Sequence, residues 1–215
     1  FFGFVLPAQS NISIASKNTA MRKISISLFL IFSIISPHAF GQKPATILSA
    51  PDNWNSEIIA FPLGFAPQIE LEGFEDIRFA PGWSNMESDE FWTYHFTWYV
   101  EKKEAMTEDF LAETCNLYYD GLAKAVLEGQ SDSTHINKLR NTLSLFIKTE
   151  EGFSGKMRVF DSFFTKDYIT LHVKVQEKIC EDSNKQIVSF DISPKSFEDE
   201  IWEIFKDVQL LENCN

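Results

Sequence analysis

Three histidines lie beyond residue 40, at positions 95, 135 and 172, and two of them stand in stretches of strict alternation. In residues 91–101, Trp92, Tyr94, Phe96, Trp98 and Val100 take one parity, while Thr93, His95, Thr97, Tyr99 and Glu101 take the other. In residues 169–176, Ile169, Leu171, Val173 and Val175 alternate with Thr170, His172, Lys174 and Gln176. Alternation of this kind puts each set on its own face of a strand. If the two strands are neighbours, one face carries two imidazoles, several hydroxyls and a lysine, able to hold a polar ligand, move protons or ligate a metal. A solvated face of an antiparallel sheet carries the same residue types. The pattern therefore nominates His95, Tyr99, His172 and Lys174 as binding residues and assigns no reaction.

A second nomination comes from the aromatic region around Arg78-Phe-Ala-Pro-Gly-Trp83. Aromatic rings with an arginine line many ligand clefts. Arg78 either clamps an anionic group or pairs with a carboxylate such as Glu75 or Asp76. Trp92 and Trp98 read as core from their parity, whereas Trp83 stands on a turn and is free to line a cleft. Other motifs are missing. Gly152-Phe-Ser154-Gly155 has the wrong spacing for a nucleophile elbow, and no cysteine or histidine pair has zinc spacing. Glu150-Glu151 and Glu181-Asp182 lack the alternating ligands of a calcium loop. With 31 acids in the chain, no carboxylate pair for glycoside chemistry stands out. Neither a metal nor a cofactor is expected.

The elements that must position these side chains follow from periodicity. Residues 58–61 form a short strand, 69–71 and 77–79 are short extended pieces, and 91–101 is the clearest strand. Residues 107–129 form a helix, capped by Thr107 with Glu108 and Asp109 at its positive end. Leu111, Cys115, Tyr118, Leu122, Ala125 and Val126 make its apolar stripe, and Gly129 ends it. Four strands follow in 143–148, 156–159, 169–176 and 188–192, joined by short turns, as in an antiparallel meander. Residues 196–212 read as a second amphipathic helix, opened by Ser196 with Asp199. The fold class is α+β: an antiparallel sheet of five to seven strands with both helices packed on one face.

The start of the chain reads as an address. Arg22 and Lys23 follow Met21, then an uncharged apolar run over 24–35, then Ser36, Pro37 and small residues, the layout of a secretory signal peptide. The run is too short to span a bilayer, which needs roughly 20 residues. Residues 1–20 lie upstream of that start and are set aside as a non-native segment. The expected organisation is a signal peptide at 21–41, an N-terminal arm at 42–56 and a single α+β domain at 57–215, located in the periplasm or secreted, with no membrane span after cleavage. Only Lys17, Arg22 and Lys23 are charged among residues 1–40, so their removal takes the net charge from −12 to −15. Such acidity argues against nucleic acid and anionic membrane surfaces as partners and leaves a small molecule or a protein. Export permits disulfides. Of Cys115, Cys180 and Cys214, the last two lie near element ends and are the favoured pair, and Cys115 reads as a buried thiol.

Three stretches carry a resemblance: Phe61-Pro-Leu-Gly-Phe-Ala-Pro67, Gly73-Phe-Glu-Asp-Ile-Arg-Phe-Ala-Pro-Gly-Trp83 and Phe91-Trp-Thr-Tyr-His-Phe-Thr-Trp98. Together they resemble a family of exported bacterial proteins of unknown function, which implies export and no activity. In element order the chain is similar to cystatin-like sandwiches and to those of the photosystem II oxygen-evolving proteins, and fold alone does not fix function. The expectation is a non-enzymatic domain that binds a ligand or partner through Arg78, Trp83, His95, Tyr99, His172 and Lys174. The alternatives are a hydrolytic or metal-dependent enzyme using His95 and His172, and a structural protein of the cell envelope.

Overall fold

The computed structural model describes residues 46–101 and 104–211. The described residues belong to one compact unit. The signal run, the upstream segment and Cys214 lie outside the described residues.

The strands are β1 (Leu48–Ser49), β2 (Asn55–Ala60), β3 (Gly73–Phe79), β4 (Tyr94–Glu101), β5 (Leu143–Thr149), β6 (Gly152–Phe160), β7 (Tyr168–Cys180), β8 (Lys185–Ser193) and β9 (Gln209–Leu210). Helix α1 spans Glu108–Gly129 and α2 spans Ser133–Ile136, and a 3-10 helix covers Glu200–Asp207. Seven strands form one antiparallel sheet in the order β2-β3-β4-β8-β7-β6-β5, and β1 pairs with β9 in a separate two-stranded sheet. The sheet is an α+β architecture of seven strands. The piece at 69–71 is irregular and joins no strand, and β4 starts at Tyr94. The alternation breaks at Trp92, whose φ of 54° lies in the left-handed region. There the chain turns, with the Thr93 amide donating to the Glu90 carbonyl.

One face of the sheet packs on α1. Phe96 stacks on Tyr118 at 5.8 Å and on Phe190 at 4.4 Å, and Trp98 lies 4.6 Å from Phe190. Thr107 caps α1 by accepting from the Phe110 amide. Leu111, Cys115 and Tyr118 are buried as the stripe requires, but the second half of the helix buries Tyr119, Ala123 and Leu127 and leaves Ala125 exposed. The Tyr119 hydroxyl meets the Tyr94 hydroxyl across the interface, and this polar contact helps choose the buried face.

The other face differs from the sequence expectation. The C-terminal segment does not join α1. Its N-cap is Asp199, which accepts from the Ile201 amide, and the chain forms eight residues of 3-10 helix before entering β9. This segment covers the opposite face. Phe197 packs on His172, and the Lys174 ammonium sits 4.8 Å from the centre of the Trp202 ring. Ile201, Trp202 and Phe205 form a second small core with Trp54. The cause is pairing: β9 finds β1 in the N-terminal arm, with Leu48 opposite Leu210, and that holds the segment over the polar face. One helix therefore packs on each face, where the sequence placed both on one.

Candidate functional site

The polar face of β4 and β8 is roofed by the two terminal arms. The guanidinium of Arg78 on β3 pairs with the Asp76 carboxylate and donates to the carbonyls of Ile77 and Leu48, each at 2.7 Å. Asp76 also accepts from the backbone amides of Ile47 and Leu48 at 2.9 and 3.2 Å. A buried charge pair with its remaining valences met by backbone is the arrangement that low dielectric favours. Here it fastens the N-terminal arm to the sheet, and β1 in turn carries β9.

Between roof and sheet lies a groove of about 440 Å³. Its floor includes His95, Ser189, Asp191 and Gln176, and its roof includes Leu48 and Phe205. It continues into a second hollow of about 400 Å³, which shares Glu151, Gln176 and Asp191 with the first and adds Lys174 and Ser154. One wall is apolar and the floor is polar, in the size range of small-molecule sites.

The floor holds a hydrogen-bonded chain across β8 and β4. Asp191 Oδ1 lies 2.7 Å from His95 Nδ1, His95 Nε2 lies 2.9 Å from Thr97 Oγ1, and Thr97 Oγ1 lies 2.9 Å from Ser189 Oγ. Strand register makes this possible, because His95 faces Asp191 and Thr97 faces Ser189. The order acid, imidazole, hydroxyl is that of a nucleophile triad. Yet Thr97 is wholly buried, and its oxygen is shared between His95 and Ser189. Ser189, Asp191 and His95 carry the chain to the groove wall, and Thr97 does not reach it.

The six nominated residues divide. His95 lines the groove and is buried under the roof, so it is not on an open face. Lys174 is exposed and lines the second hollow. His172 is not joined to His95. The two stand on either side of β8, about 9–10 Å apart across two strand spacings, and are offset by two register positions. Desolvation, and next the Lys156 charge, hold the His172 imidazole below its ordinary range. Arg78 is committed to the arm and has no free fork for a ligand. Tyr99 packs on Phe74 at 5.5 Å, and the Lys185 ammonium lies 5.7 Å from the centre of its ring. Trp83 joins an aromatic cluster with Phe79, Trp92, Phe163 and Phe164, at 4.7 to 5.9 Å. Packing makes Tyr99 and Trp83 structural rather than groove-lining. Among the described residues no group of three histidine, cysteine or acidic side chains converges on a metal position.

Cys180 is disulfide-bonded, and Cys115 is a free buried thiol whose ionisation burial opposes. The most perturbed acid lies elsewhere, between sheet and helix. Glu75 is wholly buried, accepting from Trp98 Nε1 at 2.7 Å and from the Tyr118 hydroxyl at 2.9 Å. Burial pushes its carboxyl up to about 7, against the lowering effect of those two donors.

Sequence reasoning missed Asp191, Ser189, Gln176 and the roof. The alternation of 188–192 does put Ser189 and Asp191 on one parity, but not beside His95, since no local pattern states which strands pair. Comparison with protein-family models, with curated proteins and with solved structures gave no match.

Proposed function

We propose that this chain is an exported, non-enzymatic domain that binds a small molecule with both polar and apolar parts in the groove beneath its terminal arms. The observation that carries the reading is the groove itself: an apolar roof of Leu48 and Phe205 over a polar floor of Ser189, Asp191 and Gln176. Sites of this size with one dry wall and a few convergent polar groups are the usual form of a ligand pocket. Export rests on the sequence alone, on Arg22 and Lys23 before the apolar run 24–35. The resemblance to exported bacterial proteins of unknown function agrees with that address.

The Asp191–His95–Thr97 order supports a second reading, a hydrolase in which Ser189 presents the hydroxyl at the groove. One experiment separates the two. Residues 41–215 and a Ser189→Phe variant that fills the groove are compared by thermal shift against a panel of small amphiphilic acids, sugars and chromogenic esters. A ligand present at a hundred times its Kd stabilises the native state by about 2.7 kcal/mol. The binding reading expects a compound that raises Tm in the wild type only. Esters turned over by the wild type and spared by His95→Ala would replace it with the hydrolase. A panel that never separates wild type from Ser189→Phe would overturn both.

A further inference from the structure

Four cations of this acidic chain stand together on part of one face. On the side away from α1, β6 presents Ser154, Lys156 and Arg158, and β7 presents Thr170, His172, Lys174, Gln176 and Lys178. No acid stands on this side of either strand. Beside them the edge strand β5 presents Leu143, Leu145 and Ile147, which are 64, 70 and 59 % exposed. Register sets Leu143 opposite Arg158 and Leu145 opposite Lys156. The guanidinium of Arg158 lies 3.8 Å from the centre of the Tyr168 ring, which fixes its direction. Arg140, just before β5, is exposed as well.

A row of three large apolar residues in water is unusual on an edge strand, where charges and prolines normally discourage contact. Strand addition along this edge is hindered, because α1 reaches over both ends. The Thr142 amide donates to Asp120 at 2.6 Å and the Lys148 amide to Glu108 at 3.2 Å. The row is instead open face-on, as a flat surface with an apolar column and a basic column beside it.

We propose that this face docks on an anionic lipid surface. Leu143, Leu145 and Ile147 enter the boundary between headgroups and acyl chains, while Lys156, Arg158 and Arg140 meet lipid phosphates. Apolar area and anionic attraction acting together are what hold peripheral proteins at an interface. Glu150 and Glu151 at the β5–β6 turn lie beyond Ile147, and Glu198 lies near Lys156; these acids bound the patch. The net charge of residues 41–215, −15, opposes approach at long range. At physiological salt that repulsion is screened beyond about 8 Å, which leaves the local cations to act. The proposal stands independently of the groove.

The test is co-sedimentation of residues 41–215 with vesicles of phosphatidylglycerol or of phosphatidylcholine, with light scattering of the protein alone alongside. Partitioning at least tenfold stronger on phosphatidylglycerol is expected. Leu145→Asp and the Lys156→Glu/Arg158→Glu pair should each lower it about tenfold with Tm unchanged, since all three side chains are exposed, and Lys206→Glu should leave it unaltered. Failure to bind, equal binding to both vesicles, or indifference to Leu145→Asp would overturn the proposal. A dimer in solution that Leu145→Asp dissociates, without lipid binding, would assign the face to a second copy and equally overturn it.

Discussion

Glu75 sits in the seam between β3 and α1, and Trp98 and Tyr118 donate to its carboxylate. Cys115, Tyr94 and Tyr119 crowd the same seam, and Glu57 adds a repulsive charge from β2. A carboxyl that ionises near 4.5 when unfolded and near 7 when folded binds more protons in the folded state between those values. Stability therefore falls as pH rises through that window and is level above it. The full effect is about 3 kcal/mol. Glu75→Gln keeps the shape and lets the Tyr118 hydroxyl accept. The variant should match the wild type near pH 4.5 in chemical denaturation and exceed it by about 3 kcal/mol at pH 8. A constant difference between the two across that range would show that Glu75 does not titrate in this window.

At the scale of elements, the decisive contact is the one between the two chain ends. Asp76 and Arg78 project from the face of β3 away from α1, because Glu75 and Ile77 take the other parity. They meet the arm 46–48, and β1 then pairs with β9. The N-terminal part of the roof is thus held to the sheet by one buried ion pair. Removing one partner of such a pair leaves the other charged and unpaired, at a cost of about 3–5 kcal/mol. Asp76→Ala should lose that much stability. It should also speed amide exchange at Ile47 and Leu48, which donate to Asp76, and at Leu211, which donates to the Ile47 carbonyl. Protection in α1 should change less. Unaltered exchange in the arms would show that the β1–β9 pairing holds the roof without help from the sheet.

Across the whole molecule, the core divides into a large layer between the sheet and α1 and a small one under the C-terminal segment. The small layer rests on three buried residues, Ile201, Trp202 and Phe205. A crosslink from this segment to the sheet would restrain the unfolded chain. Cys180 is bonded at the end of β7, while Cys115 is enclosed under α1. We expect non-reducing peptide mapping to recover Cys180 joined to Cys214. Cys115 should stay unalkylated by iodoacetamide until the protein unfolds. Fast alkylation of Cys115 in the native protein would contradict the closed seam between sheet and helix.

By itself the sequence determined what is local. The parity of β4, β7 and β8, the Thr107 cap and the turns of the meander are set by neighbours within a few residues, and so they were legible. Only the tertiary structure decided which strands meet. His95 and Asp191 are 96 positions apart, and their contact exists because β8 inserts between β4 and β7. The spacing of Phe197, Ile201, Ile204, Phe205 and Val208 fits an α-helix as well as it fits the observed 3-10 turn and strand. Pairing of Leu210 with Leu48 chose between them. That same pairing turned an expected open face into a roofed groove, since the alternation of a strand says which side chains share a face and nothing about what will cover it.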